Sequence, residues 1–112
     1  MLKNIVYSIK KKLYRNMEEN DINMLELKNM QKSGAELIDV RSKQEYNEGH
    51  LDGAINVPEY ELRSYFSNSN IDKNKMIVVY CISGYRSKRA CIKLKKMGYS
   101  NVYNLYGGLE EY

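Results

Sequence analysis

Met76-Ile77-Val78-Val79-Tyr80-Cys81-Ile82-Ser83-Gly84-Tyr85-Arg86-Ser87 is the stretch on which the reading of this 112-residue chain turns. Its first five residues are apolar without alternation, the pattern of a strand covered on both faces. Ala90, Cys91, Leu94 and Met97 follow at helical spacing. Cys81 therefore sits where a strand ends, a short loop containing Gly84 turns, and a helix begins. Backbone N–H groups converge at such a place and the helix dipole is positive there. Both effects favour the thiolate, the reactive form of cysteine.

The segments on either side repeat the strand–helix alternation. Ile22 ends a short first strand. Asn23 and Glu26 form a capping-box pattern that opens a helix to about Lys32, closed by Gly34. Glu36–Val40 reads as a strand, and Ser42 with Glu45 as a second capping box, starting a short helix that Gly49 ends. Ala54–Val57 is a strand stopped by Pro58, Glu59–Phe66 is helical, and 67–75 is polar loop. Gly98 ends the helix that follows Cys81, Val102–Leu105 is the last strand, and Gly107-Gly108 turn into a short terminal helix. Strands alternating with helices predict an α/β fold: a central, mostly parallel five-stranded sheet with helices on both faces. Sites in such sheets lie beyond the carboxyl ends of the strands, where Cys81 is placed.

A chain of this length buries roughly two-thirds of its unfolded surface, enough for one core. Hydrophobic residues make up 43% and charged residues 29%, and no apolar run approaches a membrane span. The net charge of +4 is uneven: residues 1–15 carry +5 (Lys3, Lys10, Lys11, Lys12, Arg15), which leaves residues 16–112 at −1. That distribution argues against a nucleic-acid surface on the body. Residues 1–20 read as a basic extension or helix with apolar positions at Leu2, Ile5, Val6, Ile9 and Leu13. A solvated extension, or a helix on the edge of the domain, is favoured over contact of residues 1–15 with a membrane surface. Residues 21–112 form the domain. Cys81 and Cys91 are too few for a disulfide framework, and no stretch reads as an export signal, so reduced thiols in a cytoplasm are expected. Neither cysteine shows metal-ligand spacing with the single His50, and neither a metal nor a cofactor is expected.

The loop itself spells C-x-x-x-x-R. Gly84 permits successive N–H groups to point inward as an anion nest, Arg86 adds a cation at the rim, and Ser87 is placed to cap the helix. Lys88, Arg89, Lys93, Lys95 and Lys96 follow with no acid among them. Such a cradle suits a thiolate, or an anionic product carried on Cys81 such as a persulfide, and needs no histidine as base. Cys91 lies on the core face of the helix and reads as packing, with a resolving thiol as the lesser alternative.

Four segments in order resemble the rhodanese family of thiosulfate sulfurtransferases: Leu37–Arg41 with Glu45-Tyr46, Gly49–Pro58, Cys81–Ser87, and Gly98-Tyr99 through Gly107-Gly108. The resemblance runs from about residue 22 to the end and implies a three-layer α/β/α fold. It implies that Cys81 accepts a sulfur atom as a persulfide and passes it to cyanide, a thiol or a sulfur-acceptor protein. Arg86, Ser87 and the amides of Ile82, Ser83, Gly84 and Tyr85 would then bind a small anionic donor such as thiosulfate. Asp39 and Arg41 are supporting candidates; Arg41 is expected to pair with Glu45, four residues on, and Asp39 is left open. His50 is structural in the family motif. Tyr112 stands where the family usually carries tryptophan, which makes the last helix short. Two alternatives remain. One is a phosphatase or arsenate reductase on the same scaffold, although related phosphatases use a loop one residue longer. The other is a non-catalytic sulfur-carrier or binding module.

Overall fold

Alternate residues of a strand face opposite sides of its sheet, so a run that is apolar throughout must be covered twice. In the computed structural model, which describes residues 20–111, the run from Ile77 does so. The elements in chain order are β1 (Asp21–Ile22), α1 (Met24–Lys32), β2 (Glu36–Asp39), α2 (Lys43–Asn47) and β3 (Ala54–Asn56). A 3₁₀ turn (Glu59–Glu61) leads into α3 (Leu62–Ser67), followed by β4 (Ile77–Tyr80), α4 (Tyr85–Lys96), β5 (Val102–Leu105) and a final 3₁₀ turn (Gly108–Glu111). The strands form one sheet in the order β1-β5-β4-β2-β3, with every pairing parallel. β4 lies in the middle, so the loop after it opens over the centre of the sheet.

Ile77 and Val79, with Ile38 of the neighbouring strand and Val40 just after it, pack under Leu62 and Phe66 of α3 and Ala90, Cys91 and Leu94 of α4. Val78 and Tyr80, with Leu37 and Leu105, pack on the opposite face against Leu27 of α1 and Tyr46 of α2. The result is the three-layer α/β/α arrangement. Among the described residues no helix is long and apolar enough to cross a membrane.

Both capping boxes form. Asn23 accepts from the Glu26 amide and Ser42 from the Glu45 amide, and each glutamate returns a bond to the cap backbone. Strand ends differ from expectation by one residue, at Val40, Val57 and Met76. Val40 and Val57 nevertheless keep bonds across the sheet, to the Tyr80 carbonyl (3.1 Å) and the Asp39 carbonyl (2.9 Å). The single helix expected over Glu59–Phe66 is instead a 3₁₀ turn followed by α3. The chain leaves Pro58 extended, and the tighter turn lets Leu62 and Phe66 both reach the core. The basic segment 1–19 and Tyr112 lie outside the described residues.

Candidate active site

Cys81 follows the last residue of β4, and its sulfur is held from the loop beyond it. Gly84 has φ +97°, in the left-handed region where a side chain is strained, and its N–H donates to the Cys81 Sγ at 3.1 Å. The Ser87 N–H donates to the same sulfur at 3.4 Å. Of the four loop amides expected to face an anion, Gly84's is bonded to the sulfur; the second N–H donor, Ser87's, comes from the first turn of α4. Ile82 and Tyr85 are exposed, and Ser83 lies in the bend between β4 and α4.

Ser87 does not cap α4. Gly84 is the N-cap, with no side-chain bond, and Ser87 lies three residues further on. Its hydroxyl lies 3.4 Å from the Cys81 Sγ and 3.2 Å from the Gly84 carbonyl. The hydroxyl has one proton, so it donates to only one of the two at a time. With Cys81 as a thiol, S–H donates to Oγ while Oγ–H donates to the carbonyl. With a thiolate, Oγ–H turns to sulfur and makes a third donor.

The loop is clamped by the 3₁₀ turn Gly108–Glu111. Leu109 N–H donates to the Cys81 carbonyl at 3.0 Å and Glu110 N–H to the Ile82 carbonyl at 2.8 Å. These bonds satisfy both carbonyls and tie the loop to that turn. Contact is so close that a Cβ on Gly108 would lie 2.3 Å from the Cys81 carbonyl oxygen, and Gly108 also has φ +60°. The sequence marks Gly107-Gly108 as a turn and as part of the closing family segment; the clamp itself leaves no local motif, because its partners are more than twenty residues away.

The charged residues pair differently from expectation. Arg41 does not bond Glu45. Its guanidinium takes both oxygens of Asp39, Nη2 at 2.7 Å from Oδ2, and donates to the Gly49 carbonyl at 2.6 Å. Asp39 and Arg41 are buried, and Asp39 also accepts from the Tyr80 hydroxyl at 2.7 Å. Asp39 faces the same side as Leu37 and Tyr80, so the β2–α2 turn folds Arg41 back onto it. Burial pushes the Tyr80 hydroxyl up, and the bond to Asp39 adds to this. This network braces the loops beside the candidate site and touches neither the sulfur nor its donors.

Glu45 instead forks onto Arg86, at 2.7 and 2.9 Å. Arg86 thereby holds the Glu45 carboxyl down to about 2. Glu45 in turn raises Arg86, with a smaller contribution from negative charge on Cys81. The expected cation at the loop is present, but its fork is occupied. His50 stacks on Tyr46 at 3.8 Å and its Nδ1 lies 3.0 Å from the Tyr46 carbonyl, consistent with a structural role. Among the described residues no three His, Cys, Asp or Glu side chains converge to hold a metal ion.

The family model of the rhodanese-like domain matches residues 23–112. The chain belongs to the rhodanese-like family. The rhodanese-like chain is 40% identical over 74 residues to a thiosulfate sulfurtransferase of Escherichia coli strain K12, covering 66% of this chain and 70% of that one. It is 39% identical over 95 residues to a tRNA uridine(34) hydroxylase of Buchnera aphidicola, covering 80% of this chain but only 28% of the relative. The chain therefore spans about a quarter of the hydroxylases it matches. Among solved structures, a human single-domain sulfurtransferase superposes with a TM-score of 0.70 at 27% identity, covering 80% of this chain and 90% of that one.

Proposed function

We propose that this rhodanese-like chain is a sulfurtransferase that moves sulfane sulfur from thiosulfate or a persulfide to a thiophilic acceptor through a persulfide on Cys81. The observation that carries this reading is the Cys81 sulfur at the end of the central strand, with the Gly84 and Ser87 N–H groups donating to it. Likeness to a bacterial thiosulfate sulfurtransferase over two-thirds of the chain supports it.

In the first step the Cys81 thiolate attacks the outer sulfur of thiosulfate. A new S–S bond forms, the donor's S–S bond breaks, and sulfite leaves with the electron pair. In the second step cyanide or a thiolate attacks the outer sulfur of the Cys81 persulfide, and Cys81 leaves as thiolate. The Gly84 and Ser87 N–H groups stabilise the Cys81 thiolate, which attacks in the first step and is the leaving group in the second. Ser87 supplies its hydroxyl, while Ile82, Ser83 and Tyr85 shape the mouth. Arg86, steadied by Glu45, adds positive charge at the rim. Asp39 and Arg41 hold the neighbouring loops. No cofactor enters either step, and a reducing cytoplasm suits two free thiols.

Thiocyanate formation from thiosulfate and cyanide is the test. Wild type should turn over, and Cys81→Ser should not. Hydrolysis of a phosphate ester, lost in Cys81→Ser and unaccompanied by thiocyanate formation, would overturn the reading in favour of a phosphatase.

A further inference from the structure

Arg86, Arg89, Lys93 and Lys96 recur along α4 at spacings of three, four and three, so they form one stripe of the helix surface. The stripe starts at the Cys81 loop and runs roughly 15 Å away from it. Across from it, Arg63 of α3 completes a groove of about 240 Å³ lined by Arg63, Arg89, Ile92, Lys93 and Lys96. No acid lines this groove among the described residues. Ile92 in its wall is 42% exposed, an apolar side chain among four cations. At the end nearer Cys81, Arg89 is forked by Glu59 at 2.8 and 3.0 Å. This pair is at the surface and held weakly enough to exchange for another carboxylate.

We propose that this groove docks an acidic polypeptide segment of the protein that takes sulfur from Cys81. The proposal rests on the sulfurtransferase reading and names the class of its macromolecular acceptor. Charge complementarity selects an acidic partner. Ile92 selects a polypeptide, because an aliphatic side chain between acids can seat on it. A nucleic-acid track would instead carry aromatic rings for the bases to stack on, and none lines this groove. Because the stripe ends at the Cys81 loop, a segment lying along it delivers a cysteine at its end to the persulfide. That thiolate attacks the outer sulfur and leaves as a persulfide, and Cys81 departs as thiolate.

The test uses the full chain and a fluorescent synthetic peptide of alternating glutamate and aspartate around one leucine, ending in cysteine. A control peptide carries glutamine and asparagine in place of the acids. Binding is read by anisotropy with the cysteine blocked, and transfer is read by peptide persulfide formation. Wild type should bind the acidic peptide in preference to the control, more weakly as salt is raised. The double variant Lys93→Glu, Lys96→Glu should lose about tenfold or more in affinity and in transfer to the acidic peptide. Its thiocyanate formation from the small acceptor cyanide should stay at the wild-type level. Equal binding of the two peptides, or an unchanged double variant, would overturn the proposal. So would oligouridylate displacing the peptide with higher affinity, which would mark the groove as a nucleic-acid site. Loss of cyanide turnover in wild type would refute the sulfurtransferase reading while the anisotropy still reports on the groove.

Discussion

Cys81 and Cys91 lie ten residues apart on one loop-and-helix unit and are equally hidden, at 1% and 0% exposure. Their sulfurs nevertheless meet opposite surroundings. Cys81 receives N–H bonds from Gly84 and Ser87 and a hydroxyl contact from Ser87. Cys91 meets the Val102 carbonyl at 3.7 Å, to which it donates, and burial pushes its thiol up to about 11. A site of donors stabilises a negative sulfur, whereas a carbonyl among apolar side chains stabilises S–H. Depth of burial does not separate the two; the polarity of the nearest partner does. Cys91 packs in the core on the inner face of α4.

Cys81→Ala should abolish the contrast. Thiocyanate formation should fall by roughly four orders of magnitude or more, with Cys91 unable to substitute. Residual turnover near the wild-type level would show that the donors around Cys81 are incidental.

Gly108→Ala tests whether the clamp behind the loop keeps the donors aimed. Its Cβ would lie 2.3 Å from the Cys81 carbonyl oxygen and force the backbone apart. Turnover should fall by about a hundredfold, as a displacement near 1 Å at a reacting group does. The fold should lose about 1–3 kcal/mol, measured by urea unfolding. Because a misfolded variant would also be inactive, the near-ultraviolet circular dichroism of the purified protein must remain native for the result to count.

Ser87→Ala removes the hydroxyl and keeps the amide. A hydrogen bond to a charged group is worth about 1.5–3 kcal/mol, and the 3.4 Å contact to sulfur places this one at the low end, so loading of Cys81 by thiosulfate should slow by about tenfold, measured by stopped-flow. An unchanged rate would mean that the hydroxyl stays with the Gly84 carbonyl throughout.

The smallest expected effect comes from Glu45→Gln. Glutamine keeps the capping box with Ser42 but removes the charge that steadies Arg86. The wild-type carboxyl is held near 2 rather than 4.5, so the pair's stabilisation is complete above about 4.5 and is lost as pH falls toward 2. At neutral pH the variant should be less stable by about 1 kcal/mol. The difference should shrink in urea titrations carried out near pH 3. A constant difference across that range would show that the loss is not electrostatic.

Local chemistry was legible in the sequence. The capping boxes at Asn23 and Ser42, the buried strand before Cys81 and the Gly84 loop all depend on neighbours within a few residues. Pairings between distant segments were not. Glu45 and Arg86 are 41 positions apart, and near-neighbour spacing pointed Glu45 to Arg41. What moved Arg41 elsewhere is the buried carboxylate of Asp39, which requires a cation because an unpaired buried charge is costly. Ser87 was legible as a helix-start residue, but its true partner depends on where the sulfur sits. The grip of Leu109 and Glu110 on the Cys81 and Ile82 carbonyls exists only once β5 has been placed beside β4.

The most direct measurement is intact mass spectrometry of wild type, Cys81→Ala and Cys91→Ala after incubation with thiosulfate. Wild type and Cys91→Ala should each gain one sulfur atom that a reducing thiol removes, and Cys81→Ala should gain none. An adduct that survives Cys81→Ala, or its absence from wild type, would contradict the assignment of Cys81 as the residue that carries sulfur.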